Sequence, residues 1–311
     1  MTPTPANRHM TAAEWGAILT VATFWGGSYF FVGVAVKELP TLTIVLARYI
    51  ITAPLFLLIS MHMGLRMPWD RQFWPDFLFV GIFNQLVPFC LIAWSQGHIP
   101  SAVASILNAV GPLVIALLAH IFTRDEKLNQ RRFIGVVLGF AGVATIIGGA
   151  ALNSFGVGVL AQLGCITATL SYAVSILVAR ASGRRGAKPL ELVTGQIAIA
   201  GFLLLPVELI VDQPWTLPMP SGAALLALLG LALLSSALGH ILYFRTLAAV
   251  GATNVSLVAY LMPVSAVLLG VVVLGEHLEL RQIAGMVIIA IGLAVMDGRP
   301  LAFLRRITSP V

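Results

Sequence analysis

Ten apolar segments, each long enough to span a bilayer as a helix, follow one another along this chain with only short polar connectors between them. A helix rises about 1.5 Å per residue, so roughly 20 apolar residues cross the hydrocarbon core. The segments lie near 14–36, 41–62, 73–94, 101–122, 132–150, 155–179, 189–211, 220–248, 253–274 and 280–296. In lipid every backbone N–H and C=O must be satisfied within the protein, and for runs of this length that means helix. Composition agrees, since 59% of the 311 residues are hydrophobic and only 10% are charged, against about 25% charged in a soluble domain. The expected fold class is an all-α integral membrane protein with ten transmembrane helices, and the lipid bilayer is its surrounding partner.

Several function classes drop out on the same grounds. The formal net charge of +6 is spread over short connectors with no basic stripe, so no nucleic-acid partner is expected. Cys90 and Cys165 sit inside apolar runs without disulfide or metal-ligand spacing. No Walker A, HExxH or GxSxG motif is present, and His120 and His240 lack an intramembrane acid to orient them. An enzyme is therefore not expected, nor is a cofactor or a metal. The first segment ends in a small-x-small site, Gly33-Val34-Ala35. Its apolar run is too long for the core of a signal peptide and is read as a retained helix.

Cations set the orientation. With the N-terminus in the cytoplasm, fifteen of the 18 Lys and Arg fall on the inner side, Lys37 and Arg281 on the outer side, and Arg48 within the second segment. Both termini are then cytoplasmic.

A line of sequence recurs within the chain. Pro112 precedes Pro263 by 151 positions, while Glu126, Leu128, Arg131 and Gly135 precede Glu276, Leu278, Arg281 and Gly285 by 150. One copy carries Arg124, Lys127, Arg131 and Arg132 in its connector, and the other keeps only Arg281. Five helices per repeat is an odd number, so the second copy enters the membrane upside down and its connector faces outward without cations. Two inverted five-helix repeats form a transporter architecture with substrate held between the halves near the midplane. The expected division is a cytoplasmic tail over 1–13, repeats over 14–150 and 155–297, and a cytoplasmic tail over 298–311.

With Trp25-Gly26 in helix 1, Arg48 after Pro40 on helix 2 and the two Pro…Glu…Gly lines, the chain resembles the EamA branch of the drug/metabolite transporter superfamily over nearly its whole length. Within that branch it looks most like the YddG-type amino-acid exporters of bacterial inner membranes. The resemblance implies a ten-helix carrier exporting amino acids, aromatic and other neutral ones, by alternating access. Its small multidrug-resistance relatives exchange protons through a Glu within helix 1. Here Glu14 lies at the membrane edge and no carboxylate occupies the midplane, which favours facilitative transport. The alternative is a proton-coupled exporter of drugs or other small metabolites, with His240 as the residue able to carry the proton.

Intramembrane polar and aromatic residues nominate the site. Trp15, Trp69, Trp74, Trp94 and Trp215 fall near interfaces, whereas Trp25 sits at mid-depth, where it either packs in the core or walls a cavity. Tyr29 follows it by one turn. Interhelical hydrogen bonding accounts for most Ser and Thr, but Asn84, Asn108 and His240 cost more to hide. With Tyr172 and Tyr260 these residues form the expected substrate site. Pro112 frees the carbonyl of Asn108 and Pro263 that of Ala259, so both helices are expected to be interrupted there. Arg48 either receives a substrate carboxylate or caps carbonyls and snorkels outward, and the second reading is the one favoured. Gly135 and Gly139 form a GxxxG that packs within a monomer or marks a dimer face.

Overall fold

A computed structural model describes residues 10–62, 71–122, 127–148 and 156–298. Within these residues the chain is helical throughout, without strands. The helices are α1 (Ala12–Ala35), α2 (Thr41–His62), α3 (Trp74–Gln96), α4 (Ser101–Phe122), α5 (Gln130–Ile147), α6 (Val157–Arg184), α7 (Pro189–Val211), α8 (Gly222–Gly251), α9 (Leu257–Val272) and α10 (Leu280–Asp297). Among the described residues nine are long and apolar enough to cross a membrane, and α9, at 16 residues, is shorter. Its expected start at Thr253 moves because Gly251, at φ 77°, breaks the helical path and a turn at Ser256 precedes α9. In the opposite sense, α6 runs five residues past the expected end at Ala179. Most of both tails, the connector between the repeats and Glu126 of the repeated line lie outside the described residues.

The outer faces are apolar. Ile50, Leu58, Phe202, Ile210 and Leu226 are each more than half exposed, a surface that suits lipid and not water. Trp15, Trp74, Trp94 and Trp215 are also exposed, near helix ends, as an interfacial belt requires. Trp69 lies outside the described residues.

Helix pairing exchanges the two halves. The α1–α9 pair has its counterpart in α6–α4, α1–α8 in α6–α3, and α2–α8 in α7–α3, while α2–α7, α4–α9 and α5–α10 pair with their own equivalents. The α5–α10 pair shows that equivalent helices run in opposite directions. Gly135 lies against Gly292 and Gly142 against Gly285, so that a Cβ on Gly135 would meet the Gly292 carbonyl at 2.6 Å and one on Gly142 the Gly285 carbonyl at 2.7 Å. Gly135 and Gly285 are equivalent in the repeats, as are Gly142 and Gly292, so the two contacts are images of each other. The GxxxG glycines are thus spent inside the chain: Gly139 packs on Leu113.

The repeated arginine has a shared role in this arrangement. Arg281 donates to the carbonyl of Ile147 at 2.9 Å, beside Gly148 at φ 66°. At the equivalent place Arg131 lies against Gly298 at φ 78°. Each cation therefore sits at the C-terminal end of a helix from the other half, where the helix dipole favours positive charge. A glycine at positive φ closes each helix, a conformation it takes without the Cβ clash.

Candidate functional site

Between the halves lies a cavity of about 1180 Å³. Trp25, Tyr29, Asn84, Asn108, Tyr172, His240 and Tyr260 all line it, as does Pro112, whereas Pro263 is buried behind the wall. Local irregularities in α4 and in the equivalent helices α3 and α8 build this space. In α4 the helical ladder stops at a two-residue turn, Ala109–Val110, immediately before Gly111 and Pro112. The interruption expected at Pro263 is absent, since α9 runs through it unbroken. Proline removes one ladder bond there, and the Ser265 hydroxyl, with one proton to donate, lies within bonding distance of the neighbouring Met262 carbonyl at 2.9 Å and of the Ala22 carbonyl of α1 at 3.0 Å.

The irregularities in α3 and α8 were not foreseen. Helix α3 widens to π geometry over Gly81–Leu86 and α8 over Gly230–Leu238. A π turn inserts a residue into the helix and turns side chains off the regular face. Asn84 and Gln85 on one, and Ser235 on the other, reach the cavity in this way. Asn84 and Ser235 stand 151 positions apart, the repeat interval, and the only sequence signal was polar pairs at mid-span in both helices.

Three groups of side chains make up the wall. In the first, Asn108 donates to the Tyr29 hydroxyl at 2.6 Å and accepts from Thr169 at 2.9 Å, which ties α4 to α1 and α6. In the second, Trp25 stacks on Tyr243 at 4.8 Å and meets His240 edge-on at 5.6 Å. The indole lies against Gly239, where a Cβ would come within 2.7 Å of Nε1. His240 Nδ1 lies 2.6 Å from the Ser236 carbonyl. A carbonyl only accepts, so Nδ1 bears a proton and, in the neutral ring, Nε2 is the acceptor.

The third group centres on Arg48, which is 5% exposed and lines the cavity. Its guanidinium lies over the Phe89 ring at 3.6 Å from the centroid, and Nε donates to Ser236 Oγ at 2.5 Å. The snorkelling reading is corrected: the side chain turns inward, where Ser236 offers it a polar partner and Phe89 a π face. Five buried polar atoms elsewhere in the wall, Trp25 Nε1, Gln85 Oε1, both amide atoms of Gln96 and Ser235 Oγ, have no hydrogen-bond partner among the described residues. Groups of this kind are the ones a bound solute or water satisfies.

The cavity is asymmetric end to end. Its lining continues to Arg131, Arg132, Arg180 and Asp297 at one end. At the other end it stops short of the connector residues 37–40, 97–100 and 275–279. There Glu276 caps the start of α4, accepting from Ser101 and Ala102, and Glu38 caps the start of α8, accepting from the Ser221 N–H at 2.7 Å and hydroxyl at 2.6 Å. These bonds, the hydroxyl's first, hold the Glu38 carboxyl below its ordinary value of 4.5. The lining thus offers aromatic faces, amides, an imidazole and an excess of cations, an arrangement suited to holding a solute reversibly.

Comparison with known proteins agrees with this construction. The EamA-like transporter family matches residues 15–148 and again residues 159–296, once per half. The chain is 27% identical to Protein PecM of Dickeya dadantii, over 92% of this chain and 93% of that one. It is 26% identical to the uncharacterized inner membrane transporter YedA of Escherichia coli, over 95% and 94%. It is 24% identical to a probable terminal-alkyne amino-acid exporter of Streptantibioticus cattleyicolor, over 97% and 98%. A solved crystal structure shares the fold at a TM-score of 0.63 and 20% identity, covering 96% of this chain and all of that one.

Proposed function

This chain belongs to the EamA-like transporter family, and from that membership we propose that it exports amino acids, aromatic and other neutral ones, across a bacterial inner membrane. Transport proceeds by alternating access, with both termini in the cytoplasm as the cation asymmetry requires. The observation that carries the reading is the cavity between inverted halves, walled by Trp25, Tyr29, Tyr172 and Tyr260 and furnished with Asn84, Asn108 and His240. An amino-acid substrate is in keeping with the name of the Streptantibioticus cattleyicolor relative, and an inner-membrane location with that of YedA.

An amino acid's ammonium group meets the backbone carbonyls of Asn108 and Ala259, whose i+4 donors are removed by Pro112 and Pro263. Its side chain lies among the aromatic rings. Among the described lining residues the one carboxylate is Asp297, at the mouth, so the carrier runs facilitatively, down the substrate gradient. His240 in the wall favours a second reading, proton-coupled export of drugs or other metabolites.

The test is counterflow in proteoliposomes with a panel of labelled amino acids. Trp25→Ala and Asn108→Ala should weaken half-saturation on the order of tenfold, about 1.4 kcal/mol each, and Thr216→Ala in an exposed connector should not. Variants with unchanged half-saturation for every transported amino acid would remove the site. A pH gradient without a substrate gradient should concentrate nothing; accumulation under that condition selects the proton-coupled reading.

A further inference from the structure

We infer that Arg48 is the carboxylate-recognising residue of the cavity, gripping an acid group of the solute between its two terminal nitrogens. The inference rests on the cavity being the transport site. A guanidinium carries five N–H donors in a planar fork. Among the described residues the only hydrogen bond it makes is from Nε, to Ser236 Oγ, and no carboxylate neutralises it. The fork is left for something that enters the cavity, whose wall includes Arg48 itself.

Its orientation is held from two sides. Ser236 donates its own hydroxyl proton to the Leu231 carbonyl at 2.8 Å, a bond five residues back that the π turn makes possible. The hydroxyl proton is therefore committed, and a lone pair faces the Arg48 Nε–H. Phe89 lies under the guanidinium plane and meets Tyr172 edge-on at 6.0 Å. A planar cation fixed at Nε and on one face keeps its terminal edge free, the edge that binds a carboxylate through two parallel bonds.

Charge favours the same solute. An unpaired cation within the span is costly and marks a pathway or a binding site. The remaining lining adds Arg131, Arg132 and Arg180 against the single carboxylate of Asp297. A positive cavity with low-dielectric walls concentrates anionic groups. The fork selects the acid form of a solute over its amide, which keeps the shape and loses the charge.

The experiment uses the full-length protein in detergent and reads thermal stabilisation by phenylalanine, phenylalaninamide, phenylacetate and phenylacetamide. On the unaltered protein each acid should bind at least about tenfold more tightly than its amide. Arg48→Gln should bring that ratio close to one by weakening the acids alone, and Arg48→Lys, which keeps charge without the fork, should give an intermediate ratio. Phe89→Leu and Ser236→Ala leave Arg48 in place and should lower the ratio severalfold, which covers the case in which Arg48→Gln does not fold. A ratio near one on the unaltered protein, or a ratio unchanged in these variants, overturns the inference. If acids are preferred through Arg48 but no amino acid shows counterflow, the amino-acid reading fails and the role of Arg48 stands.

Discussion

Glu276 holds the first turn of α4 through Ser101, its Oε1 accepting from the Ser101 N–H at 2.7 Å and from the hydroxyl at 2.6 Å. Its Oε2 accepts from the Ala102 N–H at 3.0 Å. Glu276 follows α9 and Ser101 begins α4, so one carboxylate fastens the two halves at the capped end of the cavity. Glu276→Ala removes the cap and a charge favourable to the helix N-terminus, costing roughly 1–2 kcal/mol. The melting temperature should fall, and a cysteine at Gln96, now 7% exposed, should react faster with an impermeant reagent added from that side. Unchanged reactivity would show that Glu276 does not close this end.

The α5–α10 contact makes a separate prediction. A Cβ on Gly142 would lie 2.7 Å from both the Gly285 carbonyl and Ile289 Cγ1, and overpacking of this kind costs about 1–3 kcal/mol. Gly142→Val should reduce the monodisperse fraction in size-exclusion chromatography without changing the oligomeric state of the protein that remains. A shift from dimer to monomer with normal stability would place these glycines at an interface between chains.

Topology is open to direct labelling. Cysteines at Gly183 and Lys127 should be shielded from an impermeant thiol reagent outside intact cells, and one at Leu280, which is 82% exposed, should react. Labelling of Gly183 from outside would reverse the orientation inferred from the cations.

The Glu38–Ser221 cap should leave a mark on stability at low pH. Glu38 is held below its ordinary value of 4.5, so the folded state favours the ionised form. Its contribution is complete above that value and is lost as pH falls through the lowered one. The melting-temperature gap between unaltered protein and Glu38→Ala should be constant above pH 4.5 and shrink below it. A gap independent of pH would mean the carboxylate does not act through its charge.

Much of the architecture was legible because it follows from the order and period of residues. Apolar runs of spanning length require helices in lipid, and a copied Pro…Glu…Gly line after an odd number of spans requires an inverted copy. The mid-depth aromatic and amide residues could be named as well, because polar and bulky groups at that depth have few places to go. Helix ends were less legible: α9 starts late because Gly251, at positive φ, breaks the helical path, and α9 stays whole through Pro263 where an interruption was expected.

Tertiary structure decided what those residues touch. No periodicity shows that α3 and α8 widen into π turns, since each reads along the chain as an ordinary apolar span. Arg48 has the same explanation. Sequence places a cation about two turns into α2, but whether it reaches outward or inward depends on Ser236 and Phe89, two residues 188 and 41 positions away in the chain. Spacing along one helix determines depth and face. Only packing across helices determines which donor is used, which is left over, and therefore what the cavity can bind.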